Sequence, residues 1–224
     1  MAVQGGRVDI STILESPVLQ RPLFPLPNML LYPGGVAPLH LFEPRYRRLM
    51  EDLLASGGEE MVLGTLLPDW EDDYFGLPPV SLIAGLGKVL ECQKDPEGNF
   101  NLLLQGISRV RIEDESLAEV PEGELPYRLV SVESLPEQHY DQVQEQALHQ
   151  ALLEQLASTV EDLPDALQAA DINLLADLLL VQSQLPITER LRIFSLLDGC
   201  ERATAILIAR QGQSAPSSKD PHWS

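Results

Sequence analysis

The sequence predicts an α+β protein in two parts. A mostly antiparallel β pseudo-barrel with one helix spans residues 21–136, and a helical bundle follows over residues 137–211. Three observations carry this. Several segments before residue 136 alternate, as in Arg109-Val110-Arg111-Ile112-Glu113, where the apolar pair shares one face. Prolines punctuate that half, and Gly85, Gly87 and Gly106 fall inside or beside strand segments, where a sheet bends or bulges as it curls. From Gln138 onward the apolar spacing changes to threes and fours, the period of helices.

Residues 1–20 mix Gly, Ser and charged side chains and read as a flexible N-terminal arm. A short strand opens at Arg21. Pro22, Pro25, Pro27, Pro33 and Pro38 fix φ and cannot donate to a ladder, so they belong at strand edges and corners. Pro33-Gly34-Gly35 makes a turn and residues 36–42 a second strand. Glu43-Pro44-Arg45-Tyr46 then starts a helix, with Pro44 in the first turn, where a helix accepts it. Further strands are expected at 61–67, 82–92, 99–105, 109–113 and 127–135, with a turn from Lys94 to Gly98. Pro136 marks the seam.

In the second part, Tyr140, Val143, Ala147 and Ala151, with Leu148, Leu152, Leu156 and Val160, form one apolar stripe on a long helix. Leu167, Leu174, Leu178 and Val181 continue the rhythm past a break at Pro164. Thr188, after Pro186, is the expected N-cap of the next helix. Asp198 with Glu201 three residues later resembles a capping box for the last helix, which Gly212 should end. Residues 212–224 are polar and rich in Ser and Pro and read as a disordered tail.

Composition narrows the function. The 224 residues carry 34 acidic against 15 basic side chains, a net charge of −19. Binding nucleic acid requires Lys and Arg to neutralise phosphates, so no nucleic-acid partner is expected. No apolar run approaches the ~18 residues of a membrane span, and the first twenty residues lack a basic stretch followed by an apolar one. Cys92 and Cys200 stand apart without metal or disulfide spacing. These features predict a cytoplasmic protein without a membrane partner.

Catalytic motifs are scarce. There is no G-x-x-x-x-G-K-[ST] loop to cradle phosphates, and Gly85-Leu86-Gly87 lacks the third glycine of a dinucleotide loop. Gly106-Ile107-Ser108-Arg109 is a partial nucleophile elbow whose second Gly and following helix are missing, so Ser108 is read as structural. Glu145 and His149 sit one helical turn apart without a third metal ligand. His40 reads as a packed, hydrogen-bonded strand histidine. Neither catalytic residues nor a metal or cofactor are expected. The loop Asp69-Trp70-Glu71-Asp72-Asp73-Tyr74-Phe75-Gly76 interleaves carboxylates with aromatics but lacks the calcium-loop pattern. It reads as a lid with solvated acids, or as a contact surface, since exposed aromatics are recognition groups.

Several blocks in order resemble the Lon N-terminal domain, the substrate-recognition module of Lon-type ATP-dependent proteases. They are Pro25-Leu26, Leu31-Tyr32-Pro33-Gly34, Pro38-Leu39 and Phe42-Glu43 through Tyr46, then the pattern from Gly87 through Gly106 and Arg109 to Ile112. The last block holds Asp198, Glu201 and Arg202. The resemblance covers roughly residues 20 to 210, and loop 69–76 is similar to small stand-alone Lon-domain proteins. It implies a PUA-like barrel and a free-standing, non-catalytic module without ATPase or peptidase parts. Its partners would be unfolded or flexible polypeptides, and a Lon-type protease system could receive them. The alternatives are a small-molecule or nucleotide-binding barrel and, third, a cryptic hydrolase.

The candidate polypeptide-binding residues are Met29, Leu30, Tyr32, Arg45, Arg48, Trp70, Tyr74 and Phe75. The run Asn28 to Tyr32 lies between two prolines at a sheet margin. It either fills the core or accepts an extended segment by strand addition, with Met29 adapting to varied guests. Arg45 and Arg48 share a helix face in an acidic chain. They either pair locally, Arg48 with Asp52 and Arg47 with Glu51, and tether the helix, or they meet acidic parts of a partner.

Overall fold

The computed structural model describes residues 20–73, 76–136, 142–159 and 163–214. The predicted arm (but for Gln20), Tyr74, Phe75, Tyr140, Val160 and the tail from residue 215 lie outside the described residues, as does the Val143 side chain.

The first part consists of β1 (Arg21–Leu26), β2 (Val36–Leu41), α1 (Pro44–Ala55), β3 (Glu60–Thr65), β4 (Ile83–Lys94), β5 (Phe100–Leu117) and β6 (Arg128–Leu135). The six strands run in the order β2-β5-β4-β3-β1-β6, and β5 also pairs with β6. Only β1 and β3 pair in parallel; the other pairings are antiparallel. The expected strands 99–105 and 109–113 are one strand, β5. Its first half pairs with β2 and its second half with β6. Serving β2 and then β6 while it pairs with β4, β5 bends, and the sheet curls without closing as a regular barrel. The register shift at Leu86/Gly87, opposite Gly106, accompanies that bend.

The bend leaves room for residues 28–33, which cross the sheet as a strap. A Cβ on Gly85 would strike the Leu31 carbonyl oxygen, and one on Gly106 the Tyr32 carbonyl oxygen. The strap is held from both ends. The N–H of Gly35 donates to Tyr32 C=O over 3.0 Å, and Thr65 Oγ1 donates to Met29 C=O. Its side chains alternate. Leu31 is buried in the β core with Met29 packed on its margin, whereas Leu30 and Tyr32 are buried among the helices.

Helix α1 starts as predicted, with Glu43 at its N-cap and Pro44 in the first turn. Tyr46, Leu49, Met50 and Leu53 form its buried stripe. Tyr46 meets Phe24 edge-to-face with centroids 4.7 Å apart.

The second part holds α2 (Gln142–Ala157), a 3-10 turn (Asp165–Ala169), α3 (Ile172–Val181), α4 (Ile187–Phe194) and α5 (Gly199–Ser214). In α2, Leu152 and Leu156 are buried as predicted, joined by Leu153. Three expectations are corrected. The buried stripe of α3 is Ile172, Leu175, Ala176, Leu179 and Leu180, while Leu174 and Val181 are exposed. Thr188 lies inside α4, because Pro186 occupies the N-cap. Helix α5 continues through Gly212 to Ser214. The start of α5 matches the prediction: Asp198 Oδ1 accepts from the Glu201 N–H at 2.8 Å.

A buried ion cluster fixes helices to sheet. Arg109 of β5 and Arg202 of α5 are fully buried, and the carboxylate of Asp177 on α3 lies between them. Arg109 Nη2 is 2.5 Å from Asp177 Oδ1, and its Nε donates to Phe194 C=O at 2.9 Å. Arg202 Nε stands 3.2 Å from the same carboxylate oxygen, and Arg202 also donates to Leu196 C=O and Asn173 Oδ1. Tyr32 packs edge-to-face on Phe194 at 5.3 Å. Burial, and next the charge of Asp177, pushes the Tyr32 phenol well above its ordinary range.

Candidate functional site

A pocket of about 120 Å³ opens where β1 and β2 end beside the start of α1. Phe24, Pro25 and Leu26 form one wall, and His40, Leu41 and Phe42 another. Tyr46 and Tyr127 contribute rings, and Leu77 and Pro78 close the third side. Local chemistry builds this shape. Pro25 and Pro27 limit pairing at the end of β1, and Pro44 turns the chain into α1 directly after Phe42. Two large apolar side chains remain at the mouth: Phe42 is 59% exposed and Leu77 49% exposed. His40 stacks on Phe42 at 5.8 Å, and its Nδ1 is 2.8 Å from Asn101 Oδ1. That histidine is hydrogen-bonded as expected, but exposed rather than packed.

The rim is polar. Arg45 lines the pocket, pairs with Glu43 at 3.1 Å and lies 4.7 Å from the Tyr46 ring centroid, contacts that all fall within the start of α1. Arg128 also lines it, held by Glu115 and by Pro78 C=O. Tyr127 Oη donates to Asp52 Oδ2 over 3.1 Å. Burial, then the neighbouring Asp52 carboxylate, pushes that phenol up to about 12.

Among the described residues, the predicted site residues are not gathered in this pocket. Of those described, Arg45 alone is a lining residue. Arg48 is half-exposed and pairs with Asp52 at 3.0 Å and more distantly with Glu124. Arg47 meets Glu97 C=O instead of Glu51, which takes Lys94. Trp70 is half-buried in a 3-10 turn (Trp70–Asp73), next to exposed Asp69, Glu71, Asp72 and Asp73; this turn leads towards Leu77. Met29 is half-buried. Leu30 and Tyr32 are not an open surface but junction packing, because alternation along the strap sends them into the helical core. Tyr74 and Phe75 lie outside the described residues.

Sequence reasoning missed Phe42 and Leu77 as site residues. Exposure beside a cavity is a tertiary property, and the only sequence signal was an aromatic directly before a helix-starting Glu-Pro. Ser108 lies within β5 opposite Leu86, not on a strand-to-helix turn. His149 Nε2 is 2.9 Å from Ala170 C=O, a contact that joins α2 to the segment before α3. Among the described residues no group of three metal-ligating side chains comes together, and no helix is long and apolar enough to cross a membrane.

Comparison with known proteins gives a consistent picture. The family described as the ATP-dependent protease La (LON) substrate-binding domain matches residues 20–209. Lon protease 2 of Sorangium cellulosum is 31% identical over 137 residues, 59% of this chain and 16% of the relative. Lon protease of Anaeromyxobacter dehalogenans is 27% identical over 197 residues, 83% of this chain and 22% of the relative. The chain thus matches only about a fifth of the length of these relatives. Among solved structures, the N-terminal domain of Mycobacterium avium complex Lon protease superposes with a TM-score of 0.64 at 18% identity. The match covers 85% of this chain and 97% of that one. A Lon N-terminal domain protein from Xanthomonas campestris gives 0.60 at 20% identity, covering 85% and 98%.

Proposed function

This chain belongs to the LON substrate-binding domain family, and from that premise we propose that it is a non-catalytic module that binds unfolded or flexible polypeptide. The observation that carries the proposal is the pocket mouth: Phe42 and Leu77 stand exposed beside an apolar lining that also holds Glu43 and the buried, ion-paired Arg45 and Arg128. A ring of this kind grips an apolar side chain and leaves the polar backbone of its segment at the rim. The volume favours a side chain over a small-molecule ligand. About 120 Å³ is well below the ~300–1,000 Å³ typical of ligand pockets. Arg45 lines the pocket, and Arg48, Met29 and Trp70 would extend the contacts of a longer bound segment beyond it. Leu30 and Tyr32 serve it indirectly, by anchoring the strap.

The test is fluorescence anisotropy with labelled unfolded peptides. Phe42→Asp and Leu77→Asp are expected to weaken binding about tenfold or more while leaving the melting temperature within ~2 °C, because both side chains are already largely in solvent. Undiminished binding by both variants would overturn the assignment of the site. Incubation with ATP and an unfolded protein is expected to yield neither phosphate nor peptide fragments above background; turnover that Ser108→Ala abolishes would refute the non-catalytic reading.

A further inference from the structure

A sheet edge with unpaired N–H and C=O groups is a template for another strand, and proteins usually cover or blunt it. Strand β2 ends the pairing order and, among the described residues, pairs only with β5. Its hydrogen-bond phase is set by the Gly106 N–H, which donates to Gly35 C=O over 2.8 Å. Antiparallel neighbours exchange bonds at every second position. Ala37, Leu39 and Leu41 therefore bond to β5, and Val36, Pro38 and His40 turn their main-chain groups away from it. That outer edge offers three carbonyls but two N–H groups, since Pro38 has none.

The edge leads into the pocket, whose walls include His40, Leu41 and Phe42. On the opposite wall stand Phe24, Pro25 and Leu26 of β1, and β6 pairs with β1 only through residues 21–23. The pocket therefore lies at an interruption in the sheet. Beside it, the segment ending in Gly76 and Leu77 carries exposed Asp69, Glu71, Asp72 and Asp73, none of which pairs with a cation among the described residues.

We propose that edge and pocket together take an extended polypeptide that adds to β2 as a further strand. It places one large apolar side chain in the pocket and carries Lys or Arg nearby, facing the carboxylates of residues 69–73. This rests on the polypeptide-binding reading and specifies the conformation and charge of the bound segment. Main-chain bonds to Val36, Pro38 and His40 select extended backbone whatever the sequence, the pocket selects one large apolar side chain, and the net charge of −19 favours cationic segments.

The probe is a labelled peptide, Lys-Thr-Val-Phe-Val-Thr-Lys, in three forms: unmodified, and N-methylated at either of the two alternating sets of amides. Strand addition uses one set only, so one methylated form is expected to bind about tenfold more weakly and the other nearly as well as the parent. Val36→Pro removes an outward donor without touching the β5 ladder. It should weaken the parent peptide about fivefold at unchanged melting temperature. Replacing both Lys by Glu should weaken binding further, and added salt should erase that difference. Equal affinity for the two methylated forms, with Phe42→Asp still impaired, overturns strand addition and leaves polypeptide binding standing. Equal affinity of the Lys and Glu peptides overturns the charge preference. If no form binds the wild-type protein, the polypeptide-binding reading itself falls.

Discussion

Replacing Asp177 by Ala removes the carboxylate shared by two fully buried guanidiniums, Arg109 2.5 Å away and Arg202 3.2 Å away. Arg109 would keep its bond to Phe194 C=O and its place 4.6 Å from the Phe194 ring centroid, and Arg202 its bonds to Leu196 C=O and Asn173 Oδ1. None of these partners is an anion, and the carboxylate that both cations share would be gone. Breaking one buried pair by removing a partner costs about 3–5 kcal/mol. Here one carboxylate serves two cations, which puts the expected loss near 5 kcal/mol, a third or more of the ~5–15 kcal/mol a native domain has. At ~2–4 °C per kcal/mol for a chain of this length, the melting temperature should fall by about 10–20 °C. Urea unfolding followed by circular dichroism measures this directly. The matched control replaces all three charges, Arg109→Met with Asp177→Leu and Arg202→Met, and should recover most of the loss, because no buried charge is then left unpaired. If Asp177→Ala stays within about 1 kcal/mol of wild type, the ion cluster does not hold helices to sheet and the argument is wrong.

Gly106→Ala should destabilise by about 3 kcal/mol, since its Cβ meets a carbonyl oxygen of the strap rather than a side chain that can turn aside; an unchanged urea midpoint would refute the close approach. Tyr127 supplies a pH test. Burial beside Asp52 raises its folded pKa to about 12 from 10.0. The folded state therefore holds this proton more tightly, so the stabilisation is complete below pH 10 and is lost as pH rises from 10 towards 12. Tyr127→Phe should flatten the decline of the urea midpoint over that window, and identical slopes for the two proteins would show that Tyr127 does not contribute it.

Features that act through local backbone were readable in advance. Pro44 in the first turn of α1, the turn at residues 33–35 and the Asp198 cap of α5 each depend on neighbours in sequence, and each is where the residues placed it. Features that depend on distant partners were not. Helix α3 is apolar at Leu174, Leu175, Leu178, Leu179 and Leu180 alike, so no stripe chooses its buried face. Asp177 was the overlooked clue: a lone carboxylate in such a run must find a cation, and Arg109 and Arg202 were the arginines already set in the family-like pattern. Thr188 lost the cap to Pro186, whose extended ψ of 150° precedes the first turn without a side-chain acceptor.

The strap shows why the site was only half visible. Met29, Leu30, Leu31 and Tyr32 between two prolines read as a sheet margin, and a margin is where strand addition belongs. Their alternation instead divides them between the β core and a helical core built from residues more than a hundred positions later. Residues 28–33 thus occupy the bend that Gly85 and Gly106 leave open, and the margin without a neighbour among the described residues falls one turn further along the chain. There Pro38 keeps its missing N–H away from β5, so the ladder loses nothing and the free edge is blunted by one donor. An edge blunted but, among the described residues, not covered, and ending at an exposed Phe42, is the geometry from which the proposed reversible capture of an extended chain is argued.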